Sequence, residues 1–408
     1  MPAGRTITVG VTGGIAAYKA ADLVSTLAKN GADVHVVMTD SAQKFICPLT
    51  LATLCGKPVY IDLFDTAEHG GIPHIDLATR SQLIVVVPAT ANIIAKASHG
   101  LADDLLSTVL LAATCPVLIC PAMNTNMYAN RVVQQNISRL KERGFLFVEP
   151  GTGRLACGAE GQGRLADIAI IYEEIIRALY TEKDLTGVKV LVTAGATREA
   201  IDPVRFITNR SSGKMGYALA RAARDRGAEV TLISGVSQLE SPHSMEFIPV
   251  ISATDMYKAV MQHFNLTDVV IKAAAVADYR PKSVAEHKIK KGTGEWVLEL
   301  ERNPDILLEL GQKKKEGQVL VGFAAESRDL LKNASQKVQK KNLDFLVAND
   351  ITLPDAGFGT ETNIAALVYP DREPLELPKL DKIKLAHRIL DEVVNIRKNG
   401  KSGKVIWV

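Results

Sequence analysis

The chain is poor in features that would each have named a class. Its five cysteines, Cys47, Cys55, Cys115, Cys120 and Cys157, form no CxxC pair and meet no histidine cluster at zinc spacing, which excludes a disulfide scaffold and a structural zinc module. Charge of one sign is also lacking: 48 basic residues against 45 acidic ones leave a formal +3, too little to attract nucleic acid or an anionic membrane surface. No run of about 18 uncharged apolar residues occurs, so no membrane span is expected. Glycines interrupt the apolar N-terminus, and Lys19 and Asp22 follow it, so it reads as a first strand and helix rather than a signal peptide. GxGxxG and Walker A are both missing. The first turn spaces its glycines as Gly10, Gly13 and Gly14, and Met215 follows Gly213 and Lys214 where Walker A requires Ser or Thr. A reduced, cytoplasmic protein that meets anions through local groups is the expectation.

What the chain does have is a rhythm. At 408 residues it exceeds the roughly 250–300 at which single cores stop growing, so two domains are expected. In the first half the runs ITVGV, ADVHVVM, QLIVVV, PVLIC and FLFVE alternate with helical patterns near 15–29, 91–113, 130–143 and 167–180. The second half repeats the scheme with VKVLVT, AEVTLIS, VVIKAAA, QVLVGFA and DFLVAND, and with helices near 213–226, 254–264, 304–315 and 328–341. This alternation predicts an α/β protein of two Rossmann-like, three-layer domains with mostly parallel sheets. The polar stretch TEKDLTG sets the domains at 1–187 and 188–408. Two long irregular segments, 196–212 and 277–294, are expected to carry function.

Each half opens on a strand that runs into a glycine turn, VGVTGGIAAYK and VLVTAGATREAIDPVRF. Such a turn leaves backbone N–H donors at the start of a helix, where phosphate is attracted. After the second strand, Met38, Thr39, Asp40 and Ser41 offer hydroxyls for a terminal phosphate beside one acid that also suits the ribose of NAD. Pro88, Ala89, Thr90 and Asn92 stand at the C-terminal end of a buried strand, where open α/β sheets bind ligands; by themselves Thr90 or Asn92 read first as a cap of the next helix. His74, in GGIPHIDLA, suits either proton transfer or a structural hydrogen bond. Asn124, in PAMNTNMY, is either an N-cap or an amide that holds a carboxylate. Cys157 differs from the other cysteines, which lie in or beside apolar runs: GTGRLACGAEGQGRLAD surrounds it with glycines and polar groups, as in a flap.

Together PAMNTNMY, the GGIPHIDLA histidine, the PATAN segment and the RLACG flap resemble the flavin-dependent cysteine decarboxylases. The likeness is to the phosphopantothenoylcysteine decarboxylase half of bacterial bifunctional coenzyme A biosynthesis proteins, over residues 5 to about 180. The resemblance implies FMN held by Gly13, Gly14, Ile15, Thr39, Pro88, Ala89, Thr90 and Asn92. An N-acylated cysteine cannot form a Schiff base, so the family uses FMN to oxidise CH₂–SH to a thioaldehyde that accepts the electron pair as CO₂ leaves. By the same resemblance His74 assists as base, Asn124 binds the carboxylate, and Cys157 supplies the proton when the enethiol is reduced.

In the second half, Asn209, Arg210, Ser211, Ser212 and Gly213 offer donors ahead of a helix, which suits phosphate or a plain solvated loop. Lys288, Lys290 and Lys291 make a lysine run that is either a site or a wet surface. Asp278 stands at a strand's C-terminal end, a place for a ligand or a Mg²⁺ contact, and Lys337 and Lys341 share a helix face at i, i+4. With NPDIL and GFAAES these segments resemble the phosphopantothenate–cysteine ligase half of the same bifunctional proteins, over residues 188 to about 398. That family uses CTP and a divalent ion to turn the phosphopantothenate carboxylate into an acyl cytidylate, which the cysteine amine attacks. The resemblance assigns CTP to Ala273, Ala274, Asp278, Lys288, Pro304, Asp305, Ile306, Leu307, Phe323, Lys337 and Lys341, with Mg²⁺ on Asp278. Asn209 would hold the acyl intermediate and Lys288 would close over the site.

The two reactions are consecutive, from 4'-phosphopantothenate, L-cysteine and CTP to 4'-phosphopantetheine. The resemblance also implies a homo-oligomer, trimers of the decarboxylase half joined by ligase-half dimers into a dodecamer. Two other readings stand beside it: an NAD-dependent oxidoreductase, favoured by Asp40 and weakened by the missing GxGxxG, and a non-catalytic flavin-binding regulator.

Overall fold

Valine, isoleucine and leucine fill the strands of both halves without polar alternation, and such strands must be covered on both faces. The computed structural model describes residues 2–64, 72–154, 160–291, 295–326, 330–350, 360 and 362–399. It divides into two units, Met1–Thr181 and Glu182–Val408.

In the first unit β1 (Thr6–Val11), β2 (Asp33–Met38), β3 (Leu83–Ala89), β4 (Val117–Pro121) and β5 (Leu146–Phe147) form a wholly parallel sheet in the order β2-β1-β3-β4-β5. Eight helices belong to this unit among the described residues: α1 (Ala17–Lys29), α2 (Pro48–Cys55), α3 (Pro73–Arg80), α4 (Ala91–His99), α5 (Leu105–Ala112), α6 (Thr125–Ala129), α7 (Arg131–Glu142) and α8 (Ile168–Leu179). Apolar clusters on the two sheet faces, one around Val9 and Leu23 and one around Val86 and Ile94, make the three layers. An antiparallel hairpin, β6 (Gly151–Arg154) and β7 (Glu160–Arg164), stands apart from the sheet. The single helix expected at 91–113 is two. Gly100 ends α4 in the left-handed conformation (φ 72°), and Asp104 starts α5 with a capping box to Ser107. FLFVE supplies only the two residues of β5, and α2, α3 and α6 are additional to the helices expected.

The second unit contains β8 (Lys189–Ala194), β9 (Arg198–Ala200), β10 (Phe206–Thr208), β11 (Glu229–Ser234), β12 (Glu246–Pro249), β13 (Val269–Lys272), β14 (Tyr279–Pro281), β15 (Leu300–Arg302), β16 (Val319–Glu326), β17 (Phe345–Asp350), β18 (Thr362–Asn363), β19 (Ala365–Val368), β20 (Leu375–Glu376) and β21 (Leu380–Asp381). Its main sheet runs β12-β11-β8-β13-β16-β17-β19-β20, with the last two strands antiparallel. Helices α9 (Lys214–Asp225), α10 (Ala253–Phe264), α11 (Ile306–Lys313), α12 (Leu330–Lys340) and α13 (Lys382–Asn399) complete it. The edge strands β19 and β20 and the helix α13 extend the expected unit. The segment expected to link the halves packs into this second core: Leu185 is fully buried there, and Arg226 Nε donates to Asp184 at 2.8 Å. Among the described residues no helix is long and apolar enough to cross a membrane.

Both sheets reverse their strand order at one point, between β1 and β3 and between β8 and β13. Ligands of open α/β sheets bind outside the strand ends at that point. In the second unit α9 lies hard against β8 there, since a Cβ on Gly216 would stand 2.5 Å from Ala194 Cβ and 2.9 Å from its Cα. Gly216→Ala is expected to destabilise this unit by about 1–3 kcal/mol through overpacking, seen calorimetrically as a melting transition lowered by several degrees.

Candidate active sites

Thr12, at the end of β1, fixes the first site. Its hydroxyl donates to the Pro88 carbonyl at 2.7 Å and accepts from the Thr90 N–H at 3.2 Å, tying two strands together where their order reverses. Gly13 then passes against Ser41. A Cβ there would stand 2.4 Å from Ser41 Cβ and 2.8 Å from its carbonyl carbon, so glycine alone lets the two turns approach. Two cavities flank this junction. One of about 710 Å³ is lined by Thr39, Asp40, Ser41, Thr90, Asn92 and Lys96. The other, of about 530 Å³, is lined by Gly13, Gly14, Ile15, Thr90, Asn124 and Met127 among others. Ala89 is fully buried in the strand end, and Pro88 contributes the carbonyl that holds Thr12.

Asn124 plays both parts expected of it. Its Oδ1 caps α6 by accepting from the Asn126 N–H at 2.8 Å, and the same side chain lines the 530 Å³ cavity. The hairpin docks on this segment: the Met123 N–H donates to the Gly163 carbonyl at 2.9 Å, and a Cβ on Gly163 would stand 2.4 Å from Met123 O. Arg164 and Leu165, just beyond, complete the wall. Cys157, between the two hairpin strands in sequence, lies outside the described residues. His74 is the second residue of α3 and lines neither cavity; its Nδ1 is buried with no hydrogen-bond partner among the described residues. A buried ring nitrogen of that kind needs a partner that the described chain does not supply.

At the second reversal point Ala196 bridges both Ala275 and Val236. Asn209 donates its amide to the Ala275 carbonyl at 3.2 Å, which ties the irregular 196–212 segment to the end of β13. Ahead of α9, Ser211 Oγ accepts from the Gly213 N–H at 3.3 Å and Ser237 donates to the Ser212 carbonyl at 2.9 Å. A cavity of about 410 Å³ gathers Asp278, Pro304, Asp305, Ile306 and Lys341 from the expected set. Asp305 caps α11 through the Leu308 N–H at 3.1 Å and pairs with Lys341 at 2.8 Å. Burial works against its carboxylate, but the Lys341 ammonium and that N–H outweigh it and hold its pKa below the usual value. Ala274 and Leu307 are core residues, Phe323 and Lys337 stand on β16 and α12, and Lys288 is exposed in its loop. Ala273 packs against the other core cluster of the same unit.

Of the lining residues that the sequence reading did not name, Lys272 carries the most consequence. Lys272 closes the apolar strand β13 at its C-terminal end, and that placement is the signal that marks it. Burial pushes its ammonium down to about 8 from an ordinary 10.5; Lys341 adds like-charge repulsion, while Asp305 and Asp278 oppose the shift. With the folded pKa depressed, the cost of charging Lys272 is fully present below pH 8 and fades as pH rises toward 10.5. Lys272→Met should therefore raise the melting temperature of the unliganded second unit at pH 7, and the gap from the unaltered protein should close toward pH 10.

Residues 1–180 match the Flavoprotein family, and residues 185–396 match the DNA/pantothenate metabolism flavoprotein C-terminal domain. The Coenzyme A biosynthesis bifunctional protein CoaBC of Bacillus subtilis is 51% identical over 397 residues, 97% of this chain and 98% of the relative. Its counterpart in Escherichia coli K12 is 42% identical over 395 residues, 96% and 97% of the two chains. Among solved structures, the C-terminal domain of a Coenzyme A biosynthesis bifunctional protein CoaBC is 46% identical, with a TM-score of 0.46, and the match covers 53% of this chain and 99% of that one. A PPC decarboxylase mutant complexed with pantothenoylaminoethenethiol is 30% identical, with a TM-score of 0.38, over 42% and 96%. Nearly full-length identity at this level, with both halves matched in order, places the chain in the family of coenzyme A biosynthesis bifunctional proteins.

Proposed function

We propose that each strand-reversal point carries one of the family's two activities. The protein is a bifunctional enzyme of coenzyme A biosynthesis, with phosphopantothenate–cysteine ligase and phosphopantothenoylcysteine decarboxylase activities. The ligase, which acts first, is assigned to 182–408 and the decarboxylase to 1–181, with residues 182–187 on the ligase side because Leu185 fills the second core. With that membership the oxidoreductase and regulator readings fall away, although Asp40 does line a cavity of the first site.

The observation that carries the first assignment is the Thr12–Gly13 junction with a cavity on each side. FMN fits it in kind: the glycine turn and the hydroxyls of Thr39, Ser41 and Thr90 suit its phosphate and polyol, and a Cβ on Gly14 would meet nothing closer than Thr90 Cγ2 at 3.8 Å. The chemistry supplied by bound FMN is two-electron oxidation of the substrate's CH₂–SH to a thioaldehyde and, after CO₂ leaves, hydride return to the enethiol. Asn124, oriented by its own cap, would present its amide to the substrate carboxylate. A neutral amide fixes that group without the deep ground-state stabilisation of a cation, which matters because the carboxylate is about to leave. His74, which lines neither cavity but leaves Nδ1 without a partner among the described residues, would assist as base, and Cys157 would protonate the enethiol carbon.

The second assignment rests on a cavity that holds Lys272 and Lys341 against Asp278 and Asp305. CTP would bind there as co-substrate, with Lys288 brought over from its loop to offset charge on the departing pyrophosphate. Asn209 would hold the acyl cytidylate for attack by the cysteine amine. Among the described residues no group of three or more His, Cys, Asp and Glu gathers for a metal. Mg²⁺ would therefore be shared between Asp278 and nucleotide phosphates, the usual way this ion is held.

The exposed Ile15, Tyr18 and Met127 at the edge of the first cavity support self-association, which we assign as decarboxylase trimers joined by ligase dimers into a dodecamer. The free thiols Cys47, Cys55, Cys115 and Cys120 suit a cytoplasmic location. Cys157→Ser, given phosphopantothenoylcysteine, should release CO₂ yet stop at the enethiol, as mass spectrometry would record; normal turnover would remove Cys157 from the reaction. Lys288→Gln should lower CTP-dependent ligation by on the order of 10²-fold while CO₂ release from supplied phosphopantothenoylcysteine is unchanged.

A further inference from the structure

The lysine loop is held by the residue between its lysines. Lys288, Lys290 and Lys291 are exposed, whereas Ile289 is half-buried and bonded through both of its backbone groups. Its N–H donates to Asp202 Oδ2 at 3.2 Å, and its carbonyl accepts from Arg205 Nη2 at 2.9 Å. Both partners belong to one short turn, in which Asp202 Oδ1 accepts from the Val204 and Arg205 N–H groups at 2.8 Å and Oδ2 from Arg205 Nε at 2.9 Å. The same turn touches the loop twice more. The Ile201 carbonyl accepts from the Ala285 N–H at 3.0 Å, and the Arg205 guanidinium lies 4.7 Å from the centre of the Trp296 ring. One turn thus grips the loop before, among and after its lysines.

The Asp202 side chain is fully buried. Arg205 holds its carboxyl far below the usual carboxylate range, burial opposes this, and the N–H groups of Val204, Arg205 and Ile289 reinforce it. A buried carboxylate is costly unless its acceptor sites are filled, and here one of the donors comes from the loop. Loop release therefore strips a bond from Asp202 and another from Arg205 in one event.

We infer that the Ile201–Arg205 turn is a latch for the lysine loop, and that Asp202 and Arg205 are positioning residues that set where Lys288 stands. The inference rests on the assignment of Lys288 to the nucleotide. Lys288 itself has a flexible stem, so its placement comes from the pinned backbone one residue away.

Limited trypsin digestion of the full chain reads the latch directly, since the loop contains three cleavage sites. Asp202→Asn keeps one oxygen for the Val204 and Arg205 N–H groups but puts an NH2 donor where Oδ2 accepts from Ile289 and Arg205; Arg205→Lys loses the planar fork and the ring stacking. Each variant should be cut after Lys288, Lys290 or Lys291 about ten-fold faster, the worth of one charge-assisted hydrogen bond, while cleavage at sites outside the loop changes far less. Ligation kcat/KM should fall about ten-fold with it, while decarboxylation of supplied phosphopantothenoylcysteine is kept. Unchanged loop cleavage in both variants overturns the latch. Full ligation by Lys288→Gln, with loop cleavage still accelerated in the two latch variants, overturns the assignment of Lys288 and leaves the latch standing.

Discussion

The Thr12 hydroxyl can bond to the Pro88 carbonyl and the Thr90 N–H together only because β1 and β3 are neighbours with strand order reversing between them. Parallel strands need right-handed crossovers, so at such a point successive connections leave for opposite faces and a crevice opens at the strand ends. The second unit meets the same constraint with other residues. There Ala196 bridges Ala275, and the Asn209 amide adds a further bond to that carbonyl. In each case the chain closes the strand ends with small side chains and backbone bonds, and the space beside them is left for ligand.

The two crevices then diverge in chemistry through what surrounds them. Around the first, Thr39, Ser41 and Thr90 share one cavity with Lys96 and several aspartates, and the other sets glycines, Ile15, Met127 and Leu165 beside Asn124, Lys19 and Arg164. Around the second, two ammonium groups and two carboxylates share about 410 Å³, and the pair Asp305–Lys341 neutralises itself. Lys272 is left as the cation whose charge costs most to keep, and an arriving polyanion would lower that cost.

Much of this was legible in the amino-acid order because parallel sheets write their strands as unbroken apolar runs and mark ligand ends with glycine, threonine and asparagine. ITVGV, QLIVVV and VKVLVT all fall on sheet strands, and Asn124 emerges on its cavity. The break at Gly100 was written as well, in SHGLADDLLS, but the apolar period carries across it and hides the cap. Lys272 was concealed differently: next to KAAAVADYRP's obvious aspartate, a lysine at a strand end looks like an exposed terminus until the cavity beside it is seen. The hub at Asp202 could not be read at all, because its loop partner is 87 positions away and is a backbone N–H, which leaves no mark on residue type.

The short link between the halves has its own consequence. Leu185 fills the second core, and Asp184 meets the buried guanidinium of Arg226, which also reaches Asp391 on α13 at 2.8 Å. A stretch that looks like a tether is thereby the first course of the second unit's wall. A fragment cut to begin at Val188 would forfeit an apolar plug and one of the two carboxylates facing that guanidinium.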